Sequence, residues 1–159
     1  MLQPIRQCIE ERHGSSSNTT DPENVDSSLN FSGTWLPCHA IDLHQDGDLN
    51  AHVDSVRFSG NLVAGLSLLS DAIMRLKPSV CDSSSSLNDN LEGASCNNTM
   101  ESSEYIDLLL PRRSLYVLSG MSRYGFSHEL LPSGSIFHGT TTPIQRDRRI
   151  SIIFRDAKK

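Results

Sequence analysis

The chain has 159 residues, a formal net charge of −5 and 36% hydrophobic residues. This length suits one domain with a substantial core. The acidic balance argues against a general binder of nucleic acids or anionic membranes, although it leaves room for a local basic groove. No apolar run approaches the length of a membrane span. The cysteines are scattered without a Cys-x-x-Cys pair, which favours reduced thiols over a disulfide framework: Cys8, Cys38, Cys81 and Cys96.

The first 30 residues are predicted to form a short helix followed by a flexible linker. Apolar side chains spaced for one helix face indicate a helix over residues 2–12. The stretch 15–30 is polar and has no periodicity, which is typical of a linker. Arg6 and Arg12 would suit a mitochondrial presequence, but Glu10 and Glu11 interrupt that pattern, so no clear presequence is predicted. The ordered domain is expected to cover residues 31–159.

The remainder reads as short strands separated by turn signals, with little helical periodicity, which predicts an all-β sandwich or jelly roll. Asp46-Gly47 predicts a turn that pairs two of the strands as a hairpin, Ala40–His44 and Leu49–Phe58. A polar, serine-rich stretch at 77–103 is expected to be a disordered insertion. The other predicted strands are Val63–Leu69, Ala72–Leu76, Tyr105–Leu110, Ser114–Leu118, Phe126–Leu130 and Arg149–Arg155.

A histidine and an aspartate two residues apart suggest a metal site. On an extended strand His52 and Asp54 point to the same face. Two imidazoles and one carboxylate on one side of a metal form the facial triad of non-haem iron oxygenases, and His128 is the candidate third ligand. A second His-x-Asp pair, His44 and Asp46, runs into a glycine turn, so the first pair is preferred.

The closing strand allows two interpretations. Arg149, Ser151, Ile153 and Arg155 share one face, and Ile150, Ile152 and Phe154 share the other. The arginines could simply face water over an apolar core. Alternatively, Arg149 could point inside the barrel and bind a substrate carboxylate through two charge-assisted hydrogen bonds. Tyr116 is either an ordinary strand aromatic or a second donor to that carboxylate.

Together these segments resemble the AlkB-type dioxygenases dependent on Fe(II) and 2-oxoglutarate. The resemblance covers roughly Ile41–Arg155, apart from the insertion, and follows the family's order. The matching motifs are His52-Val-Asp54-Ser55, Ala64-Gly-Leu-Ser-Leu-Leu-Ser70, Ala72-Ile-Met-Arg-Leu76, Ser114-Leu-Tyr116-Val-Leu, Gly120, Arg123-Tyr124, His128-Glu129 and Arg149-Ile-Ser151-Ile-Ile-Phe-Arg155.

The resemblance implies a double-stranded β-helix, a jelly roll with the metal between its sheets. It implies that His52, Asp54 and His128 bind Fe(II). A second group is expected to hold 2-oxoglutarate, with the first-named arginine on the distal carboxylate: Arg149, Arg155, Tyr116 and Ser151. The implied reaction uses O₂ to convert 2-oxoglutarate to succinate and CO₂ while a C–H bond is oxidised, and it needs no catalytic residues beyond the metal ligands.

The resemblance leaves the substrate open. Relatives that repair nucleic acids carry a lid ahead of the His-x-Asp motif, which needs aromatic surfaces and cations to grip a flipped base. Here 51 mostly polar residues precede His52. A protein, or another substrate that is not a flipped base, is therefore favoured. Methylated RNA, including tRNA, is the alternative, and a non-catalytic regulatory or truncated form is the third. Within the family the resemblance points to a mitochondrial matrix branch linked to programmed necrosis and fatty-acid metabolism.

Overall fold

The computed structural model of the chain describes residues 2–13, 31–79 and 104–158. The predicted linker at 15–30 lies outside the described residues, and so does the predicted insertion at 77–103 apart from 77–79. The elements, in chain order, are α1 (Gln3–His13), β1 (His39–Leu43), β2 (Leu49–His52), β3 (Leu62–Leu68), β4 (Ala72–Pro78), β5 (Ile106–Leu110), β6 (Ser114–Ser119), α2 (Gly120–Tyr124), β7 (Phe126–Leu130), β8 (Ser135–Ile136), β9 (Pro143–Ile144) and β10 (Arg149–Arg155).

Two four-stranded antiparallel sheets form the body of the fold. The first has the strand order β1-β10-β3-β6, and the second has the order β2-β7-β4-β5. Strands β8 and β9 form a small ribbon in the loop before β10. Chain neighbours are repeatedly split between the two sheets, as in a jelly roll. The predicted all-β jelly roll is thereby confirmed.

The inner faces of the two sheets meet in one apolar core, and α1 covers part of the first sheet from outside. The inter-sheet core consists of Leu43, Val63, Ala72, Met74, Leu76, Leu110, Leu118, Leu130 and Ile153. On the outer side, Ile9 of α1 is buried against Phe154 of β10. The ring nitrogen of Trp35 donates to the Glu10 carboxylate, which ties α1 to the chain ahead of β1. None of the described helices has the length and apolarity that crossing a bilayer requires.

The predicted hairpin of β1 and β2 is wrong. Strand β1 pairs with β10, whereas β2 pairs with β7 in the opposite sheet. The Asp46-Gly47 turn does reverse the chain, with Gly47 N donating to His44 O at 2.9 Å. A turn signal predicts that the chain reverses, but it does not predict which strand each flanking strand pairs with. Here the two strands join opposite sheets, and their apolar side chains meet in the core between the sheets.

The second departure concerns the residues after the proposed metal pair. The strand expected to run through Val56 and Phe58 ends at His52. Val56 and Phe58 lie in an exposed turn instead. Between Gly120 and Gly125, where the sequence showed only breaks, the chain forms the short helix α2. Both departures shape the surroundings of Asp54.

Candidate metal centre

Three side chains at one end of the inter-sheet space could hold a metal ion. One ligand atom from each of His52, Asp54 and His128 lies within 4.8 Å of the others. Among the described residues, these three form the group of histidine, cysteine or acidic side chains that lie close enough to share a metal ion. The rings of the two histidines lie with their centroids 4.3 Å apart. The structure therefore brings together the three residues that the sequence selected.

Strand pairing explains this convergence. His52 is the last residue of β2 and lies opposite His128 of β7, which in turn lies opposite Leu76 of β4. Alternation along β7 turns His128 inward and leaves Glu129 on the outer face, where Glu129 pairs with Lys77 at 2.9 Å. Asp54 lies two residues beyond the end of β2 and is not part of the ladder.

His128 is held in its neutral form. Burial lowers the pKa of His128 to about 4, and the neighbouring His52, Arg123 and Arg155 act in the same direction against the attraction of Asp54. A neutral imidazole carries one N–H proton and keeps a lone pair on its other ring nitrogen, which can coordinate a metal near neutral pH. His128 is thus in the protonation state that a metal ligand needs.

Asp54 is held in its ionised form. Burial on its own would raise the pKa of Asp54, but the hydrogen bond and the charge of Arg155 outweigh burial and bring that pKa below its ordinary value. Arg155 Nη2 lies 2.7 Å from Oδ1. The other carboxylate oxygen, Oδ2, lies 3.6 Å from His128 Nε2. One oxygen is therefore anchored while the second faces the cluster.

His52 has a defined ring orientation. Its Nδ1 lies 2.8 Å from the carbonyl oxygen of Asn50. Because a carbonyl oxygen can only accept, Nδ1 is the donor in this contact, which leaves Nε2 as the nitrogen available to a ligand. Metal-binding histidines commonly use their second nitrogen in this way.

A cavity extends from these three residues along the closing strand. Its enclosed space is small, about 20 Å³, and its walls come from both sheets. Its polar lining beyond the cluster consists of Tyr116, Arg149, Ser151 and Arg155. The inward interpretation of β10 is the one that the structure adopts, because Arg149 and Ser151 are buried while Ile152 and Phe154 pack on the α1 side.

Arg149 is a buried cation without a carboxylate partner in the described part of the chain. Only 2% of it is exposed. Its Nε donates to Ser67 Oγ at 3.0 Å, and its Nη2 has no hydrogen-bond partner. The hydroxyl of Ser151 is likewise buried and lies beside that of Tyr116. Burial lowers the pKa of Arg149. A buried guanidinium with a free N–H suits an anionic ligand, since uncompensated burial of that group is unfavourable.

Tyr116 lies beside this arginine. Burial raises the pKa of Tyr116, although the Arg149 charge opposes the change. The phenol therefore stays protonated and can donate a hydrogen bond. Gly65 lies opposite Tyr116 on β3, and a methyl group at Gly65 would overlap the Tyr116 ring. The Tyr116 ring can occupy this position only because Gly65 has no side chain.

The second His-x-Asp pair lies away from the cavity, whereas two arginines with no predicted role are buried. His44 and Asp46 are highly exposed, at 74% and 81%, so they do not contribute to the cavity. Two buried arginines were missed as functional candidates. Arg146 donates to the carbonyls of the Asp46-Gly47 turn. Arg123 donates to the carbonyl of Asp54. Arg123 belongs to the matching motifs, but no spacing rule pointed to its partner.

The donor set fits a divalent transition metal. Two neutral imidazoles and one ionised carboxylate are the ligands of the facial triad, which leaves other coordination positions free. Arg149 Nη2 adds an unsatisfied donor in the same cavity, which Ser151 also lines. Together they fit a carboxylate-bearing molecule that reaches toward the metal.

The jelly roll places this chain in the double-stranded β-helix class of proteins. It encloses two histidines, one carboxylate and a buried arginine. The chain is 41% identical over 117 residues to the alpha-ketoglutarate-dependent dioxygenase alkB homolog 7, mitochondrial, of Bos taurus; the match covers 74% of this chain and 43% of that protein. For the protein of the same name from Mus musculus, the identity is 40% over 119 residues, or 75% and 44% of the two chains. No family model matches the chain.

The chain thus spans less than half the length of these curated relatives. The matched portion, the jelly roll and the His-Asp-His cluster agree with one another. Over this matched portion the chain is similar to AlkB-type dioxygenases.

Proposed function

We propose that this chain is a dioxygenase dependent on Fe(II) and 2-oxoglutarate. The observation that carries the proposal is the shared cavity, which has the His-Asp-His cluster at one end and Arg149, with its unpaired N–H, among its lining residues. A purely structural barrel gains nothing from a buried, unpaired cation. The relatives named as alpha-ketoglutarate-dependent dioxygenases support the same assignment.

In this proposal His52, Asp54 and His128 hold Fe(II). The neutral imidazole of His128 and the ionised carboxylate of Asp54 supply lone pairs without first losing a proton at neutral pH. Arg155 keeps one oxygen of Asp54 engaged, so the other is presented to the metal. Bound iron, with O₂, supplies the oxidising chemistry by which 2-oxoglutarate becomes succinate and CO₂ while a substrate C–H bond is oxidised.

Four residues are proposed to hold 2-oxoglutarate. Arg149 binds the distal carboxylate, Tyr116 and Ser151 donate to the ligand, and Arg155 acts at the metal end. The protonated phenol and the fixed positive charge of Arg149 suit an anionic ligand. Arg155 already bonds Asp54 and His39.

We further propose a protein substrate. Two aromatic residues ahead of His52 are Phe31 and Trp35. Both pack against the outer core around α1, and their rings lie 4.6 Å apart. They are therefore not available to grip an extruded base. The net charge of −5 also disfavours a nucleic-acid substrate, because the phosphate backbone is negatively charged.

We propose a mitochondrial location, because both relatives are named as mitochondrial proteins. The matrix compartment, and roles in programmed necrosis and fatty-acid metabolism, are proposed on the family resemblance alone. Methylated RNA remains the alternative substrate. Salt-sensitive binding of a methylated RNA, tighter than that of its unmethylated counterpart, would favour it.

Succinate production tests the central proposal. The purified chain is incubated with Fe(II), O₂ and 2-oxoglutarate without any added substrate, alongside His128→Ala and Arg149→Ala. We expect slow succinate formation that disappears in both variants. Binding of 2-oxoglutarate in the presence of metal is measured in parallel by calorimetry.

The two readouts separate the hypotheses. Arg149→Ala is expected to keep metal binding and lose 2-oxoglutarate binding, whereas His128→Ala is expected to lose metal binding. If the native chain binds neither metal nor 2-oxoglutarate, the enzyme assignment fails for this chain and the non-catalytic alternative is favoured.

A further inference from the structure

Arg123 on α2 is buried beside the proposed iron site, with 2% of its surface exposed. Its guanidinium meets no carboxylate among the described residues. Nη1 donates to the carbonyl oxygen of Asp54 at 2.8 Å, and Nη2 donates to Ser59 Oγ at 2.7 Å and to the carbonyl oxygen of Ser55 at 3.3 Å. Hydrogen bonds from a charged donor are stronger than neutral ones, so this guanidinium holds the backbone at Asp54 and Ser55 firmly.

The backbone at Asp54 needs such an anchor because no strand contains it. Strand β2 ends at His52. After Asp54 the chain closes a turn, in which the backbone N–H of Ser59 donates to Ser55 O at 3.3 Å and Ser59 Oγ donates to the same oxygen at 2.9 Å. Without ladder bonds, the position of Asp54 depends on its contacts with side chains from elsewhere in the fold.

Helix α2 gives Arg123 a fixed base. Tyr124, the next residue, donates its hydroxyl to Gly60 O at 3.1 Å and to Asn61 Oδ1 at 3.0 Å. The end of α2 closes with Gly125 N donating to Met121 O at 2.7 Å. Two adjacent side chains of α2 therefore hold both halves of the segment between Asp54 and β3.

We propose that Arg123 is a positioning residue that presets Asp54 for metal binding. Arg155 fixes the carboxylate of Asp54, and Arg123 fixes its main chain, so the ligand is held at two points by two strong donors. Metal affinity depends on such outer partners, and losing one typically costs 10- to 100-fold in affinity. The inference rests on the proposed iron site, because it assigns Arg123 a role only through Asp54.

Cobalt binding tests the role without turnover. Co²⁺ accepts the same nitrogen and oxygen ligands as Fe(II) and reports its ligand geometry by visible absorption. The variants are Arg123→Met, which keeps an apolar stem, and Arg123→Lys, which keeps the charge with fewer donors. The matched control is Arg146→Met. Arg146 is also buried and also donates to two carbonyls, those of His44 at 3.2 Å and Gly47 at 2.6 Å, but it touches no proposed metal ligand.

We expect Arg123→Met to raise the Co²⁺ dissociation constant roughly 10- to 100-fold, with an altered spectrum. Arg123→Lys should lie between native and Met, and Arg146→Met should match the native constant and spectrum. A folded Arg123→Met with native affinity and spectrum would overturn the proposal. If Arg123→Met does not fold, native affinity and spectrum in Arg123→Lys would overturn it instead. Failure of the native chain to bind Co²⁺ would refute the iron site itself.

Discussion

Arg155 Nη2 lies 2.7 Å from Oδ1 of Asp54, a contact that joins residues 101 positions apart in the chain. It brings the last strand to the turn beyond β2 at the mouth of the cavity. The pair is partly buried, with side-chain exposures of 22% for Arg155 and 10% for Asp54. Charge pairs shielded from water are stronger than exposed ones, so this contact is expected to matter for the ligand position.

Removing that arginine is the first prediction. We expect Arg155→Met to weaken metal binding about tenfold or more, because the anchored oxygen of Asp54 loses its partner. Co²⁺ titration measures the change. The control is Arg148→Met, which breaks a two-bond contact with Asp42, at 2.9 and 2.6 Å, on the exposed surface. Equal loss of affinity in both variants would contradict the prediction.

Arg149 gives a prediction in which stability and binding change in opposite directions. Because its cation is buried without a counter-charge, Arg149→Met should stabilise the ligand-free protein by about 1–3 kcal/mol while abolishing 2-oxoglutarate binding. Urea unfolding and calorimetry measure the two effects. The control Arg75→Met leaves the buried Asp107 carboxylate unpaired, since Arg75 Nε lies 2.7 Å from it. That variant should lose stability and keep 2-oxoglutarate affinity.

Acid should weaken the metal-free fold through His128. The pKa of His128 falls from 6.5 to about 4 on folding because the ring is buried. Between these values the unfolded chain binds the proton and the folded chain does not, so stability decreases as pH drops from about 6.5 to about 4. The depressed pKa of Asp54 acts at lower pH, where protonation removes its stabilising contact.

This pH dependence can be assigned by substitution. We expect His128→Gln to remove most of the stability loss in that window, which is on the order of 1–3 kcal/mol by linkage. Denaturant unfolding at the two ends of the window measures it in the absence of metal. An unchanged slope in the variant would show that another group is responsible.

The close approach of Gly65 and Tyr116 gives the fourth prediction. A methyl group at Gly65 overlaps the Tyr116 ring, so Gly65→Ala should displace the ring and weaken 2-oxoglutarate binding. Overpacking of this kind costs about 1–3 kcal/mol of stability. The double variant Gly65→Ala/Tyr116→Leu should regain stability without regaining affinity. If the single variant binds 2-oxoglutarate normally, the ring position is unimportant for the ligand.

The parts of this molecule that sequence could predict are those set by local alternation. The closing strand has the predicted bounds, Arg149–Arg155, and its arginines share one face because side chains alternate along a strand. The pairing of β1 was not predictable in the same way, since its partner β10 lies more than 100 residues away. Arg123 and Arg146 were missed because most of their partners are backbone carbonyls, which every residue has and no motif marks.

Strand β10 also couples two distant parts of the protein. Its inward side chains, Arg149 and Arg155, line the cavity, and its outward Phe154 is buried under Ile9 of α1. By thermodynamic linkage, a ligand that binds the ordered form of β10 also favours the docked form of α1. Protection of the α1 amides from hydrogen exchange should therefore rise when the cavity is filled, so the helix serves as a remote reporter of occupancy.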